Sequence, residues 1–145
     1  MKVVFGADDV SPTVDAVVDH LRALGHDVTV VGSGGSWPSI AHRVGRAVAG
    51  GEADVGVVMC WTGTGTSIAA NKVPGVRAAL AWEPWIAKHA RLWNDANVLA
   101  MSLKRTAPAV AVEIVDAFLA EPEPDAREAA DIARIERWQG SDGGA

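Results

Sequence analysis

The chain has 145 residues, 49% of them hydrophobic, and a formal net charge of −5. That length suits one domain with a sizeable core. The acidic balance argues against a nucleic-acid or anionic-membrane surface, no apolar run reaches the length of a membrane span, and a single cysteine excludes an internal disulfide and a zinc-ribbon cluster.

Val3, Val4 and Phe5 form a short apolar run ending at Gly6, the pattern of a buried strand in a parallel sheet. It starts directly after Met1-Lys2 with no signal-type segment ahead of it, which predicts a soluble, cytoplasmic protein. Asp8-Asp9 lies in the loop that follows. Ser11 is placed as a helix N-cap and Pro12 as the first helical residue. Val14, Val17, Val18, Leu21 and Leu24 recur at helical spacing until Gly25. A second strand is predicted over 28–31. A Gly/Ser loop at 32–36 closes on Trp37-Pro38, and a helix is predicted over 39–49. The third strand, 55–59, runs straight into Cys60-Trp61-Thr62-Gly63-Thr64-Gly65-Thr66-Ser67, and a helical turn is expected at 68–70.

A fourth strand is predicted over 76–82. Glu83-Pro84 opens a helix running to about Trp93, a fifth strand covers 97–101, and 108–119 is a strongly apolar helix. Strand and helix alternate throughout, which predicts an α/β, three-layer, Rossmann-like fold on a five-stranded parallel sheet, one domain over 1–120. Glu121-Pro122-Glu123-Pro124-Asp125 reads as a linker. It leads to an amphipathic helix over 126–138 that carries Ile132 and Ile135 and has a face to bury. That helix either folds back on its own domain or docks on a partner subunit, and the second is the reading adopted. Residues 139–145 are expected to form a disordered tail.

The stretch after the third strand carries the chemistry. Strand, glycine-rich loop and helix start together aim several backbone N–H groups at one point. It lacks the spacing of a nucleoside-triphosphate loop, and no third glycine completes a dinucleotide fingerprint. The residues alone say only that an anion or polar ligand is held. Cys60 is either a base or nucleophile beside that cradle or a small buried filler, and its place at a strand's C-terminal end favours function.

With these residues on the page, the chain resembles the ribose-5-phosphate isomerase B family, which includes the galactose-6-phosphate isomerase subunits. The resemblance rests on Cys-x-Thr-Gly-x-Gly-x-Ser-Ile-Ala-Ala-Asn-Lys at 60–72, Pro74-Gly75-Val76-Arg77-Ala78, and Asn94-Asp95-Ala96-Asn97-Val98-Leu99. Gly6-Ala7-Asp8 and Ile114-Val115-Asp116-Ala117-Phe118-Leu119 support it. It implies interconversion of an aldose and a ketose of a small sugar or sugar phosphate through an enediolate, with no metal and no cofactor. Cys60 is then the base and Thr62 a proton partner. The N–H groups from Gly63 through Thr64 and Gly65 to Ser67 hold the enediolate, and Asp8 and Asn94 contact sugar hydroxyls. The family site lies between two subunits, which implies a homodimer or dimer of dimers.

The chain departs from the family at several positions. Asp9 replaces a His, Trp61 replaces a Gly, and Trp93 stands where the family keeps its ring-opening His. Ser36-Trp37-Pro38 replaces Asp-Tyr-Pro. Lys104, with Arg105 beside it, takes the place of a phosphate-side arginine, and Arg127 and Arg134 are the candidates for the arginine pair of the last helix. Indole transfers no proton at neutral pH, and adjacent carboxylates repel a dianion. Two tryptophans also narrow the pocket. These changes imply a site remodelled for a different or smaller substrate, one that is open-chain or unphosphorylated. The other reading is a non-catalytic or heteromeric relic that binds a sugar or polar metabolite. Bland roles stand beside each pick: helix capping for Asp8 and Asp9, packing for Trp61 and Trp93, a solvated helix face for Arg127 and Arg134. His89, one turn before Trp93, is either a surface histidine or a stand-in for the missing imidazole.

Overall fold

The structure is a computed structural model and describes residues 1–140. Five strands form one parallel sheet in the order β2-β1-β3-β5-β4. They are β1 (Lys2–Ala7), β2 (Asp27–Ser33), β3 (Val55–Cys60), β4 (Ala78–Leu80) and β5 (Val98–Ser102). The helices are α1 (Pro12–Ala23), α2 (Trp37–Ala49), α3 (Thr64–Asn71), α4 (Pro84–Asn94), α5 (Pro108–Leu119) and α6 (Ala129–Gly140). The α/β, Rossmann-like fold expected from the alternation is the fold observed.

Central strands β3 and β5 are buried along their whole length, as continuous apolar runs demand when helices cover both faces. One face packs Val14, Val17 and Leu21 of α1, Ala87 and Ala90 of α4, and Ile114, Val115 and Phe118 of α5. The other packs Ala41 and Val44 of α2 and Ala70 of α3. α2 comes close to the sheet because glycine faces it: a Cβ on Gly6 would lie 2.5 Å from an Ile40 methyl, and one on Gly56 would lie 2.6 Å from a Val44 methyl. The strand order reverses between β1 and β3. In open α/β sheets, the crevice beyond the carboxyl ends at such a point is where ligands bind. β1 delivers Asp8 there, and β3 delivers Cys60.

α3, α2 and β4 differ from the sequence expectation. α3 starts at Thr64, four residues early, because Ser67 N–H closes a turn onto Gly63 C=O at 3.2 Å. α2 starts at Trp37, with Pro38 inside its first turn. β4 is only three residues long: the N–H of Arg77 goes to the Asn97 side chain at 2.8 Å instead of a strand ladder. The segment 121–125 lies along α4, where Arg91 donates to the carbonyls of Glu121 and Pro122 at 3.2 and 3.1 Å and Asp125 N–H donates to Leu92 C=O at 2.8 Å.

α6 follows a 3₁₀ turn, Ala126–Glu128. It reaches its own domain through an ion pair of Glu136 with Arg77, and Ile135 lines a pocket with Ala78, Ala79 and Asn94. α6 runs to Gly140, so it takes in the first two residues of the tail expected over 139–145, and positions 141–145 lie outside the described residues. No helix among the described residues is long and apolar enough to cross a membrane.

Candidate active site

Gly63 is the pivot of the site. Its φ of 77° lies in the left-handed region, and it caps α3 directly after β3. A Cβ there would also meet Leu80 Cδ1 at 2.6 Å and the Met101 carbonyl carbon at 2.8 Å. The sharp turn puts the start of α3 over the end of β3, so first-turn N–H groups point back at Cys60. The next residues of β5 hold the turn from behind. Leu103 N–H donates to Cys60 C=O at 2.9 Å, and Ser102 Oγ donates to Trp61 C=O at 2.8 Å.

Cys60 is 4% exposed. Its Sγ accepts from Gly63 N–H at 3.2 Å and from Thr66 Oγ1 at 3.4 Å. Burial alone pushes the thiol pKa up. The hydrogen bonds, from the Thr66 hydroxyl first and then the N–H groups of Thr66, Gly63 and Thr62, outweigh burial and hold it below the ordinary thiol range. Cys60 is thus a buried thiol at a helix start whose surroundings favour its ionised form more than those of an ordinary thiol. Asp8 moves the other way. Burial and the neighbouring Asp9 charge raise its pKa against one backbone hydrogen bond.

A cleft of ≈ 260 Å³ opens over the thiol, lined by Asp8, Trp37, Cys60, Trp61, Thr62, Thr64 and Gly65. The structure therefore brings together Asp8, Cys60, Trp61, Thr62, Thr64 and Gly65 from the sequence reading, with Gly63 behind them. Thr62 and Thr64 join through their hydroxyls at 2.7 Å. Lys104 stands at the rim with its Nζ 5.0 Å from the Trp61 ring centroid. The cradle is narrower than the sequence implies. Gly63 N–H serves the thiol and Ser67 N–H is bound inside the turn, so Thr64 and Gly65, with no acceptor inside the helix, are left for a ligand.

The other candidates lie elsewhere. Asp9 is exposed, and its carboxylate takes Val10 N–H at 2.8 Å. Trp93 and Asn94 end α4 and line a different pocket with Trp85 and His89. There the His89 ring packs at 4.2 Å between centroids against both Trp85 and Trp93. Its Nδ1 sits 2.8 Å from Trp85 C=O, the geometry of an Nδ1–H donating to that carbonyl. Arg127 is tied to Asp125 and Arg134 to Asp131. Neither arginine lines the Cys60 cleft. Trp37 is the residue that sequence reasoning left out of the site. A Cβ on Gly65 would stand 3.1 Å from its ring, so the indole forms a wall of the cleft. Its only signal was the Trp-Pro pair that closes the Gly/Ser loop. Among the described residues, no group of acids, histidines or cysteines is arranged to hold a metal ion.

A family profile described as Ribose/Galactose Isomerase matches residues 3–135. Over 123 residues the chain is 42% identical to ribose-5-phosphate isomerase B of Escherichia coli, covering 81% of this chain and 83% of that protein. It is 32% identical over 125 residues to D-erythrulose-4-phosphate isomerase of Pectobacterium atrosepticum, covering 82% of each. Among solved structures, ribose-5-phosphate isomerase B of Clostridium thermocellum superimposes with a TM-score of 0.91 at 34% identity, covering 97% of this chain and 98% of that one.

Proposed function

We propose a reaction for this cleft from one premise: the chain belongs to the Ribose/Galactose Isomerase family. It is a sugar phosphate isomerase of that class. The finer reading is ours. Cys60 as thiolate removes the proton from the carbon beside the carbonyl. Charge moves onto the carbonyl oxygen, which the Thr64 and Gly65 N–H groups stabilise as the enediolate forms. Thr62, hydrogen-bonded to Thr64, passes a proton between the two sugar oxygens. Cys60 then returns its proton to the neighbouring carbon, so the net change is aldose to ketose with no redox partner. The observation that carries this reading is the Cys60 thiol itself, buried at the switch point and held below its ordinary pKa by four donors.

The substrate we assign is a short, open-chain sugar phosphate of four carbons. Trp93 supplies no proton for ring opening, and Trp37 and Trp61 wall a cleft of only ≈ 260 Å³. A relative in the same family is named for a four-carbon substrate. Lys104 beside Trp61 at the rim suits the phosphate. Trp93, Asn94, Arg127 and Arg134 belong to this site only if a second copy brings its α4, its 3₁₀ turn and its α6 to the cleft, and Asp9, beside Asp8, only if its carboxylate leaves Val10 N–H.

Solvent deuterium exchange tests the base directly. Wild-type protein is expected to wash deuterium into C1 of erythrulose 4-phosphate, or into C2 of the corresponding aldose, and Cys60→Ala to abolish it. Ala leaves only a small cavity, so the variant should unfold within about 1–2 kcal/mol of wild type. Exchange persisting at the wild-type rate in Cys60→Ala would remove Cys60 as the base. Binding without exchange in wild type would favour the non-catalytic relic.

A further inference from the structure

Beside the Cys60 cleft, α2 and α3 flank a shallow, open groove of ≈ 440 Å³, lined by Pro38, Ser39, His42, Arg43, Ala69 and Lys72. Two fixed cations and an imidazole converge there, and no carboxylate lines it. That is unusual for this chain, which has 18 acids against 13 Lys and Arg. Arg77, Arg91, Arg127 and Arg134 each sit against an Asp. Arg43 and Lys72 are exposed and, among the described residues, their side chains meet no hydrogen-bonding or ion-pairing partner. α2 contributes His42, Arg43 and Arg46 and contains no acid at all. Beyond Arg46 the surface continues as Ala49, Gly50, Val73 and Pro74, so the basic track is short. A guanidinium fork, an ammonium and a hydroxyl around a short groove match one phosphate group, not a polyanion that needs charges along its length.

We infer that the groove between α2 and α3 is a second anion site, separate from the Cys60 cleft, that binds a phosphate group by bridging Arg43 to Lys72. Either inorganic phosphate or a phosphate monoester supplies that chemistry. The site is joined to the cleft by covalent neighbours. Trp37, which walls the cleft against Gly65, is followed at once by Pro38 and Ser39 of the groove. Gly65 is followed one and two turns later by Ala69 and Lys72. An anion that pulls α2 toward α3 therefore acts on the same helix pair that sets the Trp37–Gly65 contact. The inference does not depend on the reaction assigned to Cys60, because its test reads binding and not turnover.

The test is a backbone-amide NMR titration of the full chain with sodium phosphate, run against sodium chloride at matched ionic strength. Phosphate is expected to shift the Ser39, Arg43, Ala69 and Lys72 amides saturably and to carry the Trp37 indole N–H with them. Arg43→Gln with Lys72→Gln should abolish those shifts and leave the β1 and β3 amides in place. Arg43→Gln alone, on an exposed face of α2, serves if the double variant folds poorly. A parallel titration with ribose 5-phosphate separates the two sources by whichever saturates first. The proposal fails if chloride reproduces the shifts or if the variants keep them. It also fails if the groove amides shift with protein concentration in the absence of phosphate, which would give the groove to a second copy of the chain.

Discussion

Thr66 has one hydroxyl proton and two acceptors, Cys60 Sγ at 3.4 Å and Gly63 C=O at 3.2 Å. It is fully buried, so whatever it does not give the sulfur it gives the turn. Thr66→Val removes both. The thiol then loses its leading stabilising donor and keeps its burial, so its pKa rises. The rising limb of a kcat/KM profile against pH should move to higher pH, with stability down by about 1 kcal/mol for the lost bond. The linkage has the matching sign. A thiol whose folded pKa is depressed adds stability above its unfolded range, and that increment fades as pH falls through the folded value. A limb that stays in place in Thr66→Val would mean that the backbone N–H groups alone set the thiol. Gly63→Ala is the companion change. It meets the left-handed φ and the backbone of Met101 together, and roughly 2–4 kcal/mol of destabilisation is expected in a denaturant melt.

At the level of elements, legibility followed the local signals. α1 was readable because N-cap, Pro and apolar spacing all agree, and Ser11 Oγ does accept from Val14 N–H at 3.3 Å; α5 was readable from Pro108 and its apolar run alone. The start of α3 was not, because Gly-Thr-Gly-Thr-Ser has the propensity of a loop and only the packing of Gly63 between Leu80 and Met101 makes it helical. The length of β4 was hidden for a similar reason, since the expected run starts at Val76 while Arg77 N–H turns to the Asn97 side chain and leaves the ladder. The sequence also pointed to Cys60 and its loop, but not to Trp37, whose place depends on how α2 lies against α3. The last helix was visible as amphipathic, but its contacts were not. Arg77 now joins Asp95 to Glu136, with a side chain only 16% exposed. Glu136→Gln should loosen α6, seen as faster amide exchange over 129–140, while the sheet amides keep their protection. Unchanged exchange would show that Ile135 alone holds the helix.

At the level of the whole molecule, the cleft holds the Cys60 thiol and the start of α3, while Trp93 and Asn94 lie on another surface. Trp85 and Trp93 are 55% and 41% exposed there. If two copies face each other across that surface, each site draws on both chains. Cys60→Ala and Asn94→Ala would then fail separately and partly rescue each other when unfolded and refolded together. Under two-fold symmetry an equal mixture regains about a quarter of the wild-type sites. No recovery, together with a monomer mass in light scattering, would place the whole site in one chain. Ribose 5-phosphate is expected to be a poor substrate of the wild type, well below about 10⁴ M⁻¹s⁻¹ in kcat/KM, and Trp93→His with Asp9→His should raise that value. The strand order has a further consequence, in time rather than in space. β4 leaves the ribosome before β5, yet β5 is the strand it pairs with, Ala78 against Val98 and Leu80 against Ala100. At about 5–20 residues per second, this strand waits roughly 1–4 s for its partner. During that interval neither β4 nor the inner edge of β3 is sealed, so a nascent chain stalled before position 98 should be the form most open to protease and to chaperones.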